Sequence, residues 1–169
     1  IEDKPDPRYE PEKLVFMYTA LGSFTQKTRP QKSLQYFKTA AKIKATAITL
    51  HNVASAHFRL GHRAQAEGLY LNIKKSFPNY MAANHGLLEI YHSENRFGEM
   101  VLLLNEMIEA SPPNPQLHKK RAFVHLQSGN PILATRDVLQ ALELFKEHKI
   151  APNSDPDLLQ LAKILGIIS

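Results

Sequence analysis

The chain has 169 residues, no Cys, no Trp and a formal charge of +5, from 21 Lys and Arg against 16 Asp and Glu. This length suits a domain with a sizeable buried core, and 43% hydrophobic residues is ordinary for a globular fold. The lack of Cys excludes a disulfide framework, a cysteine zinc site, a thiol nucleophile and an iron–sulfur cluster. No apolar run approaches the roughly 18 residues of a membrane-spanning helix. The charge permits an acidic partner without requiring one.

The first stretch, 1–12, contains three Pro residues and charges of alternating sign. This composition predicts an extended linker or tail. The chain begins at Ile1 instead of Met and shows no basic-then-apolar leader. We interpret it as a piece of a longer protein with an N-terminal segment removed. The compartment stays open, because a chain without Cys suits reducing and oxidising surroundings equally.

The next stretch, 13–46, has the apolar spacing of two helices joined by a turn. The turn contains Thr28-Arg29-Pro30, where proline favours the start of a second helix. The predicted helices carry two apolar sets, which are Phe16, Ala20 and Phe24 in the first and Leu34, Phe37 and Ala41 in the second.

From residue 47 onward the chain repeats itself at a step of 34 residues. Gly61, Asn95 and Gly129 stand one step apart, and all three residue types tolerate the left-handed conformation that ends a helix. Further positions recur in register, namely Ala54, Leu88 and Ala122; His57, Tyr91 and His125; Ala66, Met100 and Ala134; Tyr70, Leu104 and Val138; Ile73, Met107 and Ala141. The repeat predicts three helical hairpins, at 47–80, 81–114 and 115–148.

Local signals agree with these hairpins. Pro78 and Pro112 stand at matching ends of two units, where a helix must stop. Asn130 followed by Pro131 favours a capped helix start. His57 and His125 occupy the aromatic core position, so we expect them to be packed residues.

The last stretch, 149–169, predicts a C-terminal capping helix. Asn153-Ser154-Asp155-Pro156 supplies capping residues and acidic charge at its start. The helix is apolar on nearly every side, although the last helix of a repeat array normally shows a polar outer face. Two interpretations stay open: it packs deeply against the last hairpin, or it meets further repeats or another chain.

The stretch from Leu50 to Pro78, LHNVASAHFRLGHRAQAEGLYLNIKKSFP, resembles the tetratricopeptide repeat (TPR). The other units fit more loosely, with Leu88 and Met100 at positions for small residues and Arg121 at an apolar position. The resemblance implies an all-α, right-handed superhelix of stacked antiparallel helix pairs, a TPR-like solenoid. It also implies a non-enzymatic scaffold that binds another protein and needs no cofactor.

In TPR proteins the first helix of each pair lines a concave groove that binds peptides, and this resemblance places the site residues. We expect the groove to contain His51, Asn52, Ser55, Phe58, His85, Glu89, His92, Lys119 and Phe123. His51, His85 and Lys119 are one step apart and form a row of potentially cationic donors for an acidic or carboxylate-bearing segment. Phe58 and Phe123 would supply apolar anchors. In the first unit the groove positions hold Met17, Leu21 and Phe24.

Other functions have weaker signals. The eight His residues include no HExxH motif, and the seven Gly residues form no phosphate loop or nucleophile elbow, so we predict neither a metal site nor an enzyme. RNA binding is an alternative, because three basic clusters stand at Lys38/Lys42/Lys44, Lys74/Lys75 and Lys119/Lys120/Arg121. Self-assembly through the apolar C-terminal helix is a second alternative.

Overall fold

The computed structural model describes residues 10–151 and 154–168. Most of the predicted linker at 1–12, and Asn153 of the predicted C-terminal cap, therefore lie outside the described residues. The described residues form nine helices and no strand: α1 (Pro11–Thr25), α2 (Pro30–Ile43), α3 (Ala47–Arg59), α4 (Arg63–Ser76), α5 (Ala82–Ser93), α6 (Phe97–Ala110), α7 (Pro115–Gln127), α8 (Pro131–Glu147) and α9 (Pro156–Ile164). The predicted all-α class is confirmed.

The chain divides into two compact units, Ile1–Ile90 and Tyr91–Ser169, and the boundary falls inside α5. In the first unit α1 contacts α2, α2 contacts α3, and α3 contacts α4. In the second unit α6 contacts α7, α7 contacts α8, and α8 contacts α9. Within each unit these helices therefore pack on their neighbours in sequence, as in helical repeats.

The predicted turns have one common geometry. Gly61, Asn95 and Gly129 adopt φ of 78°, 56° and 77°, so the predicted left-handed positions are confirmed. In each turn an N–H donates to the carbonyl five residues earlier, a helix-ending arrangement that satisfies an otherwise unpaired group. The three bonds run from His62 to His57 at 3.0 Å, from Arg96 to Tyr91 at 2.8 Å and from Asn130 to His125 at 2.8 Å.

The helix ends follow their local signals with one exception. α4 ends at Ser76 and α6 at Ala110, two residues before Pro78 and Pro112. α8 begins at Pro131 as predicted, but the amide of Asn130 donates to Ser128 and makes no cap to the helix. Asn130 therefore stands at the predicted N-cap position before Pro131, but without a side-chain hydrogen bond to the helix.

The core of the first unit holds α1 tightly against α2. Leu34 and Phe37 pack with Val53 and Ala56. Gly22 of α1 lies so close to Phe37 that a Cβ atom there would overlap the ring. The Ser33 hydroxyl donates to the Gly22 carbonyl at 2.7 Å. These contacts fix which face of α1 is buried, and on α1 itself only Leu14 and Gly22 are buried.

The core of the second unit includes the C-terminal helix. Leu158, Leu161 and Ala162 of α9 are buried in one cluster with Ala122 of α7 and Phe145 of α8. Of the two interpretations of this helix, the structure therefore shows packing against the last hairpin. The repeat positions are also buried in both units, and they comprise Ala54, Ala66, Tyr70, Ile73, Leu88, Met100, Leu104, Met107, Ala122, Ala134, Val138 and Ala141.

Candidate functional site

His51, a predicted groove residue, lies against two tyrosines of the first unit. Its ring centroid is 5.5 Å from that of Tyr70 and 5.7 Å from that of Tyr80, at interplanar angles of 60° and 76°. Both contacts are edge-to-face, the arrangement that aromatic rings prefer. The imidazole is thus held by aromatic packing on two sides.

The environment of His51 favours its neutral form. Burial lowers the pKa of His51, and the Glu89 carboxylate offsets this effect only in part. Its Nδ1 atom is buried and has no hydrogen-bond partner, so no acceptor stabilises a proton there. His51 is therefore neutral at pH 7, contrary to the expectation of a cationic donor.

Tyr70 connects two further predicted residues to His51. Its side chain is hydrogen-bonded to the Ser55 hydroxyl. Burial, with a smaller contribution from Glu89, raises the pKa of Tyr70 to about 12, so the phenol keeps its proton. The structure thus brings His51, Ser55 and Glu89 together around one tyrosine. We call these residues, with Tyr80, the tyrosine cluster.

Gly86 explains how α5 approaches this cluster. A Cβ atom at Gly86 would overlap the ring of Tyr70, so only glycine allows the contact between the helix and the ring. Sequence reasoning assigned Tyr70 to the core alone and overlooked Tyr80 and Gly86. The available signal was the 34-residue step, because Gly86 occupies the position of Asn52 one unit later.

The predicted groove residues of the first unit lie on two helices, α3 and α5. Asn52 and Phe58 of α3 are half-buried, whereas His85 and Glu89 of α5 are exposed. Within the described residues, Glu89 forms no salt bridge. Glu89 therefore presents a negative charge beside neutral aromatic groups, and the cation that also acts on Tyr70 is Arg59.

In the second unit Lys119 is occupied by an internal partner. Its Nζ lies 2.9 and 2.7 Å from the two carboxylate oxygens of Asp155, and the Gln116 amide donates to Asp155 at 2.8 Å. Burial alone would raise the pKa of Asp155, but hydrogen bonds from Lys119, Gln116 and the Leu158 N–H outweigh it and hold that pKa below its usual value. Lys119 therefore uses its charge in an internal ion pair and does not present it to a partner as expected. The other two predicted groove residues in this part of the chain, His92 and Phe123, are exposed.

Arg121, which departs from the TPR pattern, belongs to a second internal network. Its guanidinium donates to both carboxylate oxygens of Asp137 at 2.8 and 2.6 Å and to the Asn105 oxygen at 2.6 Å. His118 lies 3.3 Å and His125 3.8 Å from the same carboxylate. Asp137 of α8 is buried, and its carboxylate compensates the positive charge of Arg121, which occupies an apolar repeat position.

Of the two histidines at the aromatic core position, His125 is packed as predicted. His57 is half-buried, and its Nδ1 lies 3.2 Å from that of His62.

The basic clusters are partly neutralised within the chain. Lys44 pairs with Glu12 at 3.1 Å, and Lys119 and Arg121 pair with aspartates as described.

Within the part of the chain that the structure describes, no helix has the length and apolar character needed to cross a bilayer.

Comparison with known proteins gives a fold. No protein-family model matches the chain, and no curated protein sequence matches it. Among solved structures, a tetratricopeptide repeat protein from Parabacteroides merdae ATCC 43184 is similar with a TM-score of 0.73 and 14% identity, over 90% of this chain and 59% of that one. The thermophilic TPR protein TTC0263 from Thermus thermophilus is similar with a TM-score of 0.61 and 19% identity, over 93% and 84% of the two chains. The chain has the tetratricopeptide repeat fold.

A third similar TPR-like structure is part of an assembly. The APC/C hetero-tetramer Cut9-Hcn1 matches with a TM-score of 0.67 and 16% identity, over 89% of this chain and 29% of that one. At these identities the likeness shows the fold and carries no functional residue across. The function of the site therefore depends on this chain's own residues.

Proposed function

We propose that the chain is a non-enzymatic protein-interaction scaffold that captures a segment of a partner protein beside the tyrosine cluster of the first unit. The TPR fold supports this proposal, because such repeats present a series of helix faces to a partner. The Cut9-Hcn1 hetero-tetramer is one structural neighbour that occurs with another protein. The observation that carries the proposal is the tyrosine cluster itself, in which packed aromatic rings lie near the exposed carboxylate of Glu89.

The charges favour a different partner from the one that the sequence pattern indicated. His51 is neutral, and Lys119 is paired with Asp155. Two of the three expected cations therefore do not offer a positive charge to an acidic partner segment. Glu89 is negative and exposed at the same face. We therefore propose that the partner segment brings a basic side chain to Glu89 and rests an apolar side chain against half-buried Phe58.

Labelled peptides test this proposal directly. A basic, a neutral and an acidic decapeptide, each with the same Leu and Phe anchors, would be titrated with the chain and followed by fluorescence anisotropy. We expect the basic peptide to bind most tightly. Glu89→Gln keeps the side-chain shape and should weaken that binding about two- to fivefold, the size of an exposed ion pair.

Glu109→Gln is the matched control, because Glu109 is also an exposed glutamate on a helix but lies in the second unit. It should leave the affinity unchanged. Phe58→Ala should weaken all three peptides alike, since it removes an apolar contact. Preference for the acidic peptide, or equal loss in the Glu89 and Glu109 variants, would contradict the proposed chemistry.

A further inference from the structure

The turn between α3 and α4 brings two histidines into direct contact. The Nδ1 atoms of His57 and His62 are 3.2 Å apart, and the centroids of the two rings are 5.4 Å apart. Because the centroids are farther apart than the nitrogens, both Nδ1 atoms lie on the sides of the rings that face each other. His62 is exposed and His57 is half-buried, so a small solute can reach the pair from the solvent.

The backbone of the turn holds the two rings in this position. The His62 N–H donates to the His57 carbonyl at 3.0 Å, and Gly61 before it has a φ of 78°. The corresponding turn of the second unit shows the same effect, because the Arg96 guanidinium lies 4.4 Å from the centroid of the Tyr91 ring. The repeat turn therefore places side chains five residues apart against each other. Between α3 and α4 this contact joins two imidazoles.

The spacing of the two nitrogens suits a divalent transition metal. Zn²⁺ binds histidine nitrogens at about 2.0–2.1 Å, so two nitrogens in one tetrahedral shell stand about 3.3 Å apart. The observed separation of 3.2 Å is close to this value. Imidazole nitrogen is a preferred ligand of zinc, nickel and copper. The sequence predicted no metal site because a helical motif such as HExxH is missing, but a pair across a turn needs no such motif.

The protonation of the pair is compatible with a cation. A neutral imidazole carries one N–H, and in the present contact one Nδ1 donates to the other. Chelation requires both Nδ1 lone pairs, so the donating ring carries its proton on Nε2 instead, and no proton has to leave. Burial, with smaller contributions from Lys38 and His62, lowers the pKa of His57 and favours the neutral ring. The Lys38 charge also repels a bound cation and so limits its affinity.

We propose that His57 and His62 chelate a divalent first-row transition cation of the Zn²⁺ type through their Nδ1 atoms. Among the residues that the structure describes, no three His, Asp or Glu side chains are grouped to hold a metal, so water supplies the remaining ligands. The site is therefore weak and exchangeable, unlike a closed structural zinc site. It uses neither Glu89 nor Phe58 and is independent of the proposed partner capture.

Titration of the metal-free chain with Zn²⁺ alone, followed by isothermal calorimetry at neutral pH, tests the chelate. We expect one Zn²⁺ to bind per chain at the strongest site. His62→Gln should weaken this binding by roughly tenfold or more, because the second ligand of a chelate acts at a high effective concentration. His148→Gln is the matched control, since His148 is an exposed histidine of the second unit, and it should leave the affinity unchanged. Circular dichroism would verify that both variants keep their helices.

Imidazole nitrogen NMR locates the bound ion without any substitution. The Nδ1 resonances of His57 and His62 should shift together at the same Zn²⁺ concentration. Mg²⁺ should produce no shift, because it prefers oxygen ligands. Equal affinity for Zn²⁺ in His62→Gln and His148→Gln, a shift at only one of the two imidazoles, or the same response to Mg²⁺ would overturn the proposal.

Discussion

At the scale of single residues, burial decides what each titratable side chain does. Lys119 and Arg121 look like members of one basic cluster in the sequence, yet each is bound to a different aspartate. Arg121 is tolerated at an apolar repeat position because Asp137 lies opposite and receives two hydrogen bonds from it. His51 shows the reverse case, because its buried aromatic surroundings favour the neutral imidazole.

The lowered pKa of His51 makes the stability of the chain depend on pH. A buried imidazole resists protonation in the folded state, whereas the unfolded chain takes up a proton near an ordinary pKa of 6.5. The unfolded state therefore binds more protons as the pH falls below about 7. We expect urea unfolding to give a smaller free energy of unfolding at pH 5.5 than at pH 7.5.

His51→Phe should reduce this difference, because phenylalanine keeps an aromatic edge against Tyr70 and Tyr80 but does not titrate. Part of the difference should persist, since burial also lowers the pKa values of His57 and His125. A pH dependence identical in the variant and the unchanged chain would show that His51 is not one of its sources.

At the scale of elements, α9 is held by its own first turn as well as by its apolar face. Asp155 accepts the Leu158 N–H at 3.1 Å as an N-cap and binds Lys119 of α7 with the same carboxylate. One side chain therefore both starts the helix and attaches it to the last hairpin. The apolar residues of α9 then complete the core of the second unit.

Asp155→Ala should destabilise the chain by roughly 2 kcal/mol, from the lost cap and from the loss of the close ion pair of the largely buried Lys119 ammonium. Hydrogen exchange should show the loss first in the amides of α9. Asp157→Ala is the control, because the Asp157 side chain is 85% exposed and stands 3.8 Å from Lys119, and it should change the stability by less than about 0.5 kcal/mol. Equal effects of the two substitutions would contradict the attachment.

The same attachment should fail in acid. The pKa of Asp155 is lower in the folded chain than in the unfolded one, so its contribution is complete above the unfolded value near 3.8. It is lost as the pH falls through the folded value. Protection of the α9 amides should therefore decrease below about pH 4 in the unchanged chain and show no such step in Asp155→Ala.

The sequence predicted elements better than it predicted the site, for a physical reason. Gly61, Asn95 and Gly129 report a local backbone requirement, so their spacing located the turns correctly. Apolar periodicity likewise identified the buried positions of the repeats from residue 47 onward, but not those of α1, where the predicted apolar set Phe16, Ala20 and Phe24 is exposed and Leu14 and Gly22 are buried instead. The charge state of His51 and the partner of Lys119 depend on residues distant in sequence, which a pattern along one helix does not reveal. Gly86 lay in the repeat, but only its contact with Tyr70 shows why it is there.

At the scale of the whole molecule, each unit has its own hydrophobic core. In the first unit Phe37 packs with Leu34, Val53 and Ala56, and in the second Phe145 packs with residues of α7, α8 and α9. Within each unit the contacts join helices that are neighbours in sequence, and in such repeats the stability is approximately a sum of local terms. Opening of one core therefore need not require opening of the other.

Reciprocal core substitutions test this independence. Phe37→Ala and Phe145→Ala each remove a buried ring and should cost about 3–5 kcal/mol in the core concerned. In native-state hydrogen exchange, Phe37→Ala should lower the protection of α1–α4, and Phe145→Ala that of α7–α9. The amides of the unsubstituted unit serve as the internal control in each experiment. If either variant lowered the protection of all helices by the same amount, the chain would unfold as one cooperative body, and the two cores would be thermodynamically a single one.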